Sequence, residues 1–350
     1  MALLTYDLTG ARLTLAFSEP VQPVGDAVRV YGPAGRIAAH VSHPEPAVLV
    51  ADFAQPPAPE SRVYWQVVSA DTHPARGSFT LSGGVPSSAD VGDVAPLGLL
   101  LQTISRLVHF LGLALALGVP LLALLTGAWG FVRWRRLALL GALLLALAEV
   151  FWLSGQAASL DAWDQQSLAD IGASPAGKVL GLRLGAALGL WALLGIEGRE
   201  RALALAAALL GFAVCFIDSA SAHALRGWPV AVQVLLTGVH EASMAVWVGG
   251  FLAVLLGVVG ARPFAVPGLV AVAATVLSGA ILALFHIPSP AALYMSPYGQ
   301  ALLLKLAAVA LALGAGYLSF RAGRARRLEL LALTAVLLAA GLLISLPPPR

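Results

Sequence analysis

His240 and Glu241 stand side by side in an apolar stretch, GVHEASMAVWVGG (238–250). Met244 follows one helical turn later, then Trp247 and the pair Gly249–Gly250. Residues four apart share a helix face. His240 and Met244 would therefore offer an imidazole and a thioether to a metal ion, or the imidazole alone to a haem iron. Ionisable groups within a membrane span are costly and mark functional sites by default. The same reasoning singles out His109 in VHFLGLALALG, Glu149, Asp218 and His223 in FIDSASAHALRG, and His286 in ALFHIPSP. Bland roles compete for each of them. Met244 and Trp247 would serve as core packing, and His223 and His286 would bond a carbonyl or water near an interface. Arg106, Arg183 and Lys305 would snorkel to the outer surface.

These residues need helices to place them, and the composition supplies helices. Of 350 residues, 59% are hydrophobic and 11% charged, and the mean hydropathy is +0.85. That is a polytopic membrane protein. The net charge of +3 does not argue for nucleic-acid binding, and the single cysteine, Cys215, excludes an intramolecular disulfide or a cysteine metal cluster. Eight apolar stretches are long enough to cross a bilayer core of ~30 Å: 97–125, 137–157, 178–196, 201–222, 230–258, 265–287, 299–320 and 327–346. Arg133, Arg135, Arg136, Arg199, Arg201, Arg262, Arg321, Arg324, Arg326 and Arg327 fall in alternate loops. The positive-inside rule makes those loops cytoplasmic and puts both chain ends outside. In the outer loop 156–177, Asp161, Asp164 and Asp170 are expected to solvate an amphipathic lid helix.

The spans repeat. VHFLGLALALGVPLLALL from Val108 parallels VHEASMAVWVGGFLAVLL from Val239, aligning His109 with His240 and Gly118 with Gly249. SPAGKVLGLRLGAAL (174–188) parallels SPYGQALLLKLAAVA (296–310), aligning Arg183 with Lys305. Two parallel four-helix repeats follow, a recognised transporter plan. His109 and His240 would then face a common two-fold site in the outer half of the membrane.

Residues 1–82 differ in kind. Alternating runs at 11–17, 27–31, 47–53, 61–69 and 75–82 are separated by Pro- and Gly-rich turns. This pattern predicts a small all-β sandwich or Greek-key domain, with Leu13, Leu15, Phe17, Val28, Val30, Trp65, Val67 and Phe79 as its core. His40 and His43, in HVSHP, are expected in a surface turn. Residues 83–96 read as a linker, and 97–350 as the transmembrane domain. MALLTYDLTG has neither the basic start nor the apolar core of a secretory leader.

FSEPV (17–21) followed by WQVVSADTHPARGSFTLS (65–82) resembles the copper-resistance family CopC. HFLGLALALG, AHALRG, VHEASMAVWVGG and the run from SPYGQALLLKLAAV to the C-terminal prolines resemble the membrane family CopD. The resemblance implies a CopC/CopD fusion in a bacterial cytoplasmic membrane, with the β-domain extracytoplasmic. It implies Asp71 and His73 as copper ligands in the β-domain, a tetragonal N,O set that suits Cu(II). The expected function is copper transport, with copper ions, the lipid bilayer and periplasmic copper chaperones as partners and no nucleic acid. His109, His223, His240, Glu241, Met244 and His286 are the candidate intramembrane metal ligands. No G-x-x-x-x-G-K-[ST] motif occurs, and a transporter rather than an enzyme is expected. Two alternatives stand beside it: a haem-b electron-transfer protein with His109 and His240 as axial ligands, and a copper sensor or assembly factor.

Overall fold

The computed structural model describes residues 3–70, 72–83, 95–130, 132–221, 229–322, 326–346 and 349. Asp71, His223 and most of the expected linker lie outside them. The chain divides into two compact units, Met1–Leu100 with Leu153–Val179, and Leu101–Trp152 with Leu180–Arg350.

The N-terminal region is a sandwich of two four-stranded antiparallel sheets. One runs β1 (Leu3–Thr9), β2 (Arg12–Phe17), β6 (Val48–Phe53), β5 (Ala39–Glu45); the other runs β4 (Gly35–Ile37), β3 (Val21–Gly32), β7 (Arg62–Ser69), β8 (Pro74–Thr80). All eight expected core residues are buried in one cluster between the sheets. Tyr6 stacks on Phe79 with ring centroids 4.4 Å apart, and Phe17 meets Trp65 edge-on at 5.3 Å. Three strands escaped the alternation pattern: β1, β4 and β5 are edge strands or short ones, where little alternation is needed. The HVSHP segment is therefore strand β5 and not a turn, with His40 opposite Asp52 across the ladder. Its Pro44 is tolerated because the strand is at an edge.

Among the described residues eight helical segments are long and apolar enough to cross a membrane: Pro96–Thr126, Arg133–Leu160, Pro175–Gly195, Glu200–Ala220, Val230–Leu255, Ala261–His286, Pro297–Ser319 and Arg326–Ser345. The chain is a multi-pass membrane protein. In chain order the helices are α1 (Pro96–Leu113), α2 (Val119–Thr126), α3 (Val132–Leu160), α4 (Gln165–Ala173), α5 (Pro175–Gly195), α6 (Glu200–Ala220), α7 (Val230–Leu255), α8 (Ala261–His286), α9 (Pro290–Met295), α10 (Pro297–Ala322) and α11 (Arg326–Ser345). The first span is α1 and α2 joined by a π-helical stretch, Ala114–Gly118. Pro120 accounts for that stretch: it has no N–H to give the Ala116 carbonyl, and the Val119 N–H reaches back five residues to Ala114 instead. α4 is the helix expected in the loop after the second span. Asp164 caps it, accepting from the Ser167 N–H at 2.9 Å and the Ser167 hydroxyl at 2.6 Å, and these bonds hold the Asp164 carboxyl below its usual range.

The first and fifth spans are the most buried of the eight, and they cross where the sequence repeat places its glycines. A Cβ at Gly118 would strike the Ala245 carbonyl, and a Cβ at Gly249 would strike the Ala114 carbonyl. Each glycine thus rests on the residue four before the other, a reciprocal contact that matches the internal repeat. Small residues at such a crossing let two backbones touch, which drives helix association in lipid. Gly118→Val should therefore lower stability by about 1–3 kcal/mol, read as a fall in the melting temperature of detergent-solubilised protein. An unchanged melting temperature would show that this crossing is not close-packed.

Candidate functional site

Five spans of the larger unit bring their ionisable residues to one buried place. His109 on α1 is 2% exposed. Its Nε2 lies 2.7 Å from Asp218 Oδ2 on α6, so Nε2 carries the hydrogen and the carboxylate accepts it. The other oxygen of Asp218 accepts from Arg183 Nε on α5. The other ring nitrogen of His109, Nδ1, lies 3.8 Å from Glu149 Oε1 on α3. Glu241 on α7 approaches from another side, with Oε1 4.0 Å from His109 Nε2. Arg106, three residues before His109, is within electrostatic range of Glu149, Asp218, Glu241 and Arg183. All three carboxylates are buried. Among the described residues Glu149 Oε2 has no hydrogen-bond partner, an expensive state for a buried carboxylate oxygen.

Candidate ligand atoms of His109, Asp218 and Glu241 all lie within 4.8 Å of one another. Glu149 adds a fourth donor on the far side of the ring. Three carboxylates, two guanidiniums and one imidazole thus share one buried place. The donor set is imidazole nitrogen and carboxylate oxygen, suited to a borderline or hard divalent ion rather than to Cu(I).

His240 stands outside this group, on partners of its own. Although Glu241 is the next residue, successive residues on a helix point about 100° apart. The His240 Nδ1 meets the Thr275 carbonyl at 3.0 Å and the Ser278 hydroxyl at 3.1 Å on α8, and its Nε2 lies 3.4 Å from Lys305 Nζ on α10. A carbonyl only accepts and an ammonium only donates, so His240 is the Nδ1–H tautomer with both nitrogens in use. Both ring nitrogens of His240 thus engage α8 and α10, while Nε2 of His109 engages Asp218 on α6. Gly279 makes room for the His240 ring: a Cβ there would press on the imidazole.

The remaining expected ligands separate further. Met244 is buried among Phe110, Trp247, Val248, Phe251 and Leu333 and packs as core. His286 ends α8, its Nδ1 on the Leu282 carbonyl at 2.8 Å and its ring stacked on Tyr298. His223 lies outside the described residues. Arg183 and Lys305 do not snorkel, because Arg183 finds Asp218 and Lys305 finds His240 within reach. Sequence reasoning missed Thr275 and Ser278. The repeat carried their signal: the second span gives Glu149 to His109, and its counterpart, the sixth, gives Thr275 and Ser278 to His240.

In the smaller unit, Asp71 lies outside the described residues. His73 closes the turn between β7 and β8, and its carbonyl accepts from the Ser69 N–H at 2.9 Å and the Ser69 hydroxyl at 3.1 Å. Thr72, between them, has φ 70°.

Residues 6–83 match the CopC domain family. CopC is a copper-binding resistance family and not an enzyme family. The matched span takes in the sandwich and the turn bearing Asp71 and His73. The eight spans that follow are consistent with a CopD-like membrane half. No curated protein and no solved structure matches the chain.

The Asp218–Arg183 pair is expected to be the costliest polar contact to break. Asp218→Asn leaves Arg183 buried without its carboxylate and should cost about 3–5 kcal/mol. Adding Arg183→Met should recover much of that loss. Thermal unfolding of both variants in detergent checks this, and a double variant no more stable than the single one would refute it.

Proposed function

We propose that the protein moves copper through a cytoplasmic membrane: the CopC domain receives copper outside, and the spans carry it through the buried site of His109, Glu149, Asp218 and Glu241. The β-domain, the linker before Pro96 and the transmembrane domain are the working parts of this reading, with both chain ends extracytoplasmic. The observation that carries it is the joint presence of a CopC domain match at residues 6–83 and a buried His-carboxylate cluster among eight apolar spans. Isolated carboxylates are too costly in a membrane to be kept for packing, and a cluster with an unpartnered Glu149 oxygen is suited to receive a cation. Copper is the cargo. In the β-domain, His73 and Asp71 supply imidazole and carboxylate; within the spans, the donors are again nitrogen and oxygen. Both sets favour Cu(II) over Cu(I). Asp218 holds His109 by Nε2–H, in the way a carboxylate orients a metal-binding histidine, leaving Nδ1 on the side of Glu149. Arg183 keeps Asp218 in place.

Exposed aromatic residues support the membrane placement. Trp163 and Tyr294 lie in the loops assigned outside, and Trp129, Trp191 and Tyr317 near the ends assigned inside; all are exposed. Such residues favour the two interfaces of a bilayer.

Full-length protein in proteoliposomes should take up copper. His109→Ala combined with Glu241→Gln should abolish uptake and reduce bound copper by one equivalent, while His240→Ala should leave bound copper unchanged. Unchanged copper stoichiometry in the double variant would overturn the assignment. Copper binding without uptake would favour a sensor or assembly factor, and a Soret band in the purified protein would restore a haem reading.

A further inference from the structure

His109 and His240 each stand nine residues before a crossing glycine, Gly118 and Gly249. In unbroken α-helices equal spacing gives equal direction, and the two rings would leave the crossing at the same angle. Instead His109 meets Asp218 and Glu241, whereas His240 turns to Thr275, Ser278 and Lys305. The two spans differ in their winding. α7 is α-helical from Val230 to Leu255, and the first span holds the π stretch Ala114–Gly118 between its histidine and its glycine. One position in the sequence supplies the reason: eleven residues after the histidine, the first half has Pro120 and the second has Phe251. The crossing lies on the π stretch itself. The Ala114 carbonyl that accepts the Val119 N–H is also the atom that a Cβ at Gly249 would strike.

A turn closed by a bond five residues back holds one residue more than an α-turn, and such turns inside α-helices often occur at functional sites. An α-helix advances about 100° per residue, so the extra residue winds His109 back by about 100° relative to Gly118. His109 then leaves the crossing in the direction of a residue eight before the glycine. In α7 that residue is Glu241. Glu241 is the residue that comes within 4.0 Å of His109, while His240, nine before, faces elsewhere. With the π turn removed, Phe110 would take the present direction of His109, and His109 that of Val108. Phe110 now packs with Ala114, Met244 and Trp247. Turned by about 100°, its ring would stand where Asp218 and Glu149 now find two ring nitrogens.

We propose that Pro120 is a positioning residue: by holding the first span in a π turn it aims His109 at Asp218, Glu149 and Glu241. The consequence for copper rests on the function proposed above; the aim of the ring does not. Full-length protein carrying isotopically labelled histidine, in nanodiscs, separates the two. Nuclear magnetic resonance detects the downfield ring-proton signal of a histidine bonded to a carboxylate, and His109→Gln identifies it. Pro120→Ala should abolish that signal and weaken His109-dependent Cu(II) binding about 10- to 100-fold, the usual effect of misdirecting a ligand. Two rescues read rotation rather than packing. In the Pro120→Ala background, His109→Phe with Phe110→His should restore both readouts, because residue 110 then takes the vacated direction. Deleting Ala116 in that background should also restore them, since it removes the extra residue and returns His109 to its angle. A signal that Pro120→Ala leaves intact overturns the proposal. A signal that is lost and that neither rescue restores also overturns it, since lost packing would then explain the effect. A signal that is lost and restored as expected, in a protein with no His109-dependent Cu(II) binding, upholds the role of Pro120 and overturns the copper reading.

Discussion

The cost of burying charge governs the membrane part of this protein. A carboxylate or guanidinium taken from water into an apolar interior loses several kcal/mol even after the surroundings relax, and in a bilayer core only a partner from another span can return it. Asp218 meets that demand with both oxygens used, one by Arg183 and one by His109. The pair joins α1, α5 and α6. Glu149 and Glu241 bring α3 and α7 to the same centre. Five of the eight spans are thus positioned by one electrostatic requirement, and the tight crossing of the first and fifth spans at Gly118 and Gly249 sets how closely those helices stand.

The repeat shows what each half does with the same layout. In each half a histidine stands nine residues before a crossing glycine, a residue of the next span meets its Nδ1 side, and a cation comes from the span after that. In the first half the partners are Glu149 and Arg183, with Asp218 added. In the second they are Thr275, Ser278 and Lys305. Neutral partners at Nδ1 commit His240 to one tautomer, and Lys305 takes its other nitrogen. His109 instead has a carboxylate on either side, Asp218 at Nε2 and Glu149 at Nδ1. Two histidines that look equivalent in sequence therefore have different chemistry, and the difference is made by residues on other helices.

That is also where sequence reading stopped. The spans were legible because apolar length is a local property, and all eight appear within a few residues of the expected bounds. The sandwich core was legible from Leu13, Leu15, Trp65 and Val67 because alternation is local too. The edge strands were not, because β5 carries Pro44 and little buried surface. Helix spacing puts Met244 on the same face as His240, but what that face meets depends on the crossing with other spans, and Met244 packs in the core. Arg183 and Lys305 were visible as repeat-related cations. Their direction, inward to Asp218 and His240, could not be read from a helix that offers a long side chain both routes.

The loss of Met244 from the site changes the chemistry of the proposed cargo. With a thioether the intramembrane site would suit Cu(I), and an ion arriving as Cu(II) at a nitrogen and oxygen site in the β-domain would have to gain an electron on the way. With His109, Glu149, Asp218 and Glu241 the two proposed sites offer the same kinds of donor. Passage between them then requires exchange of ligands and no change of oxidation state, so the proposed path needs no electron donor.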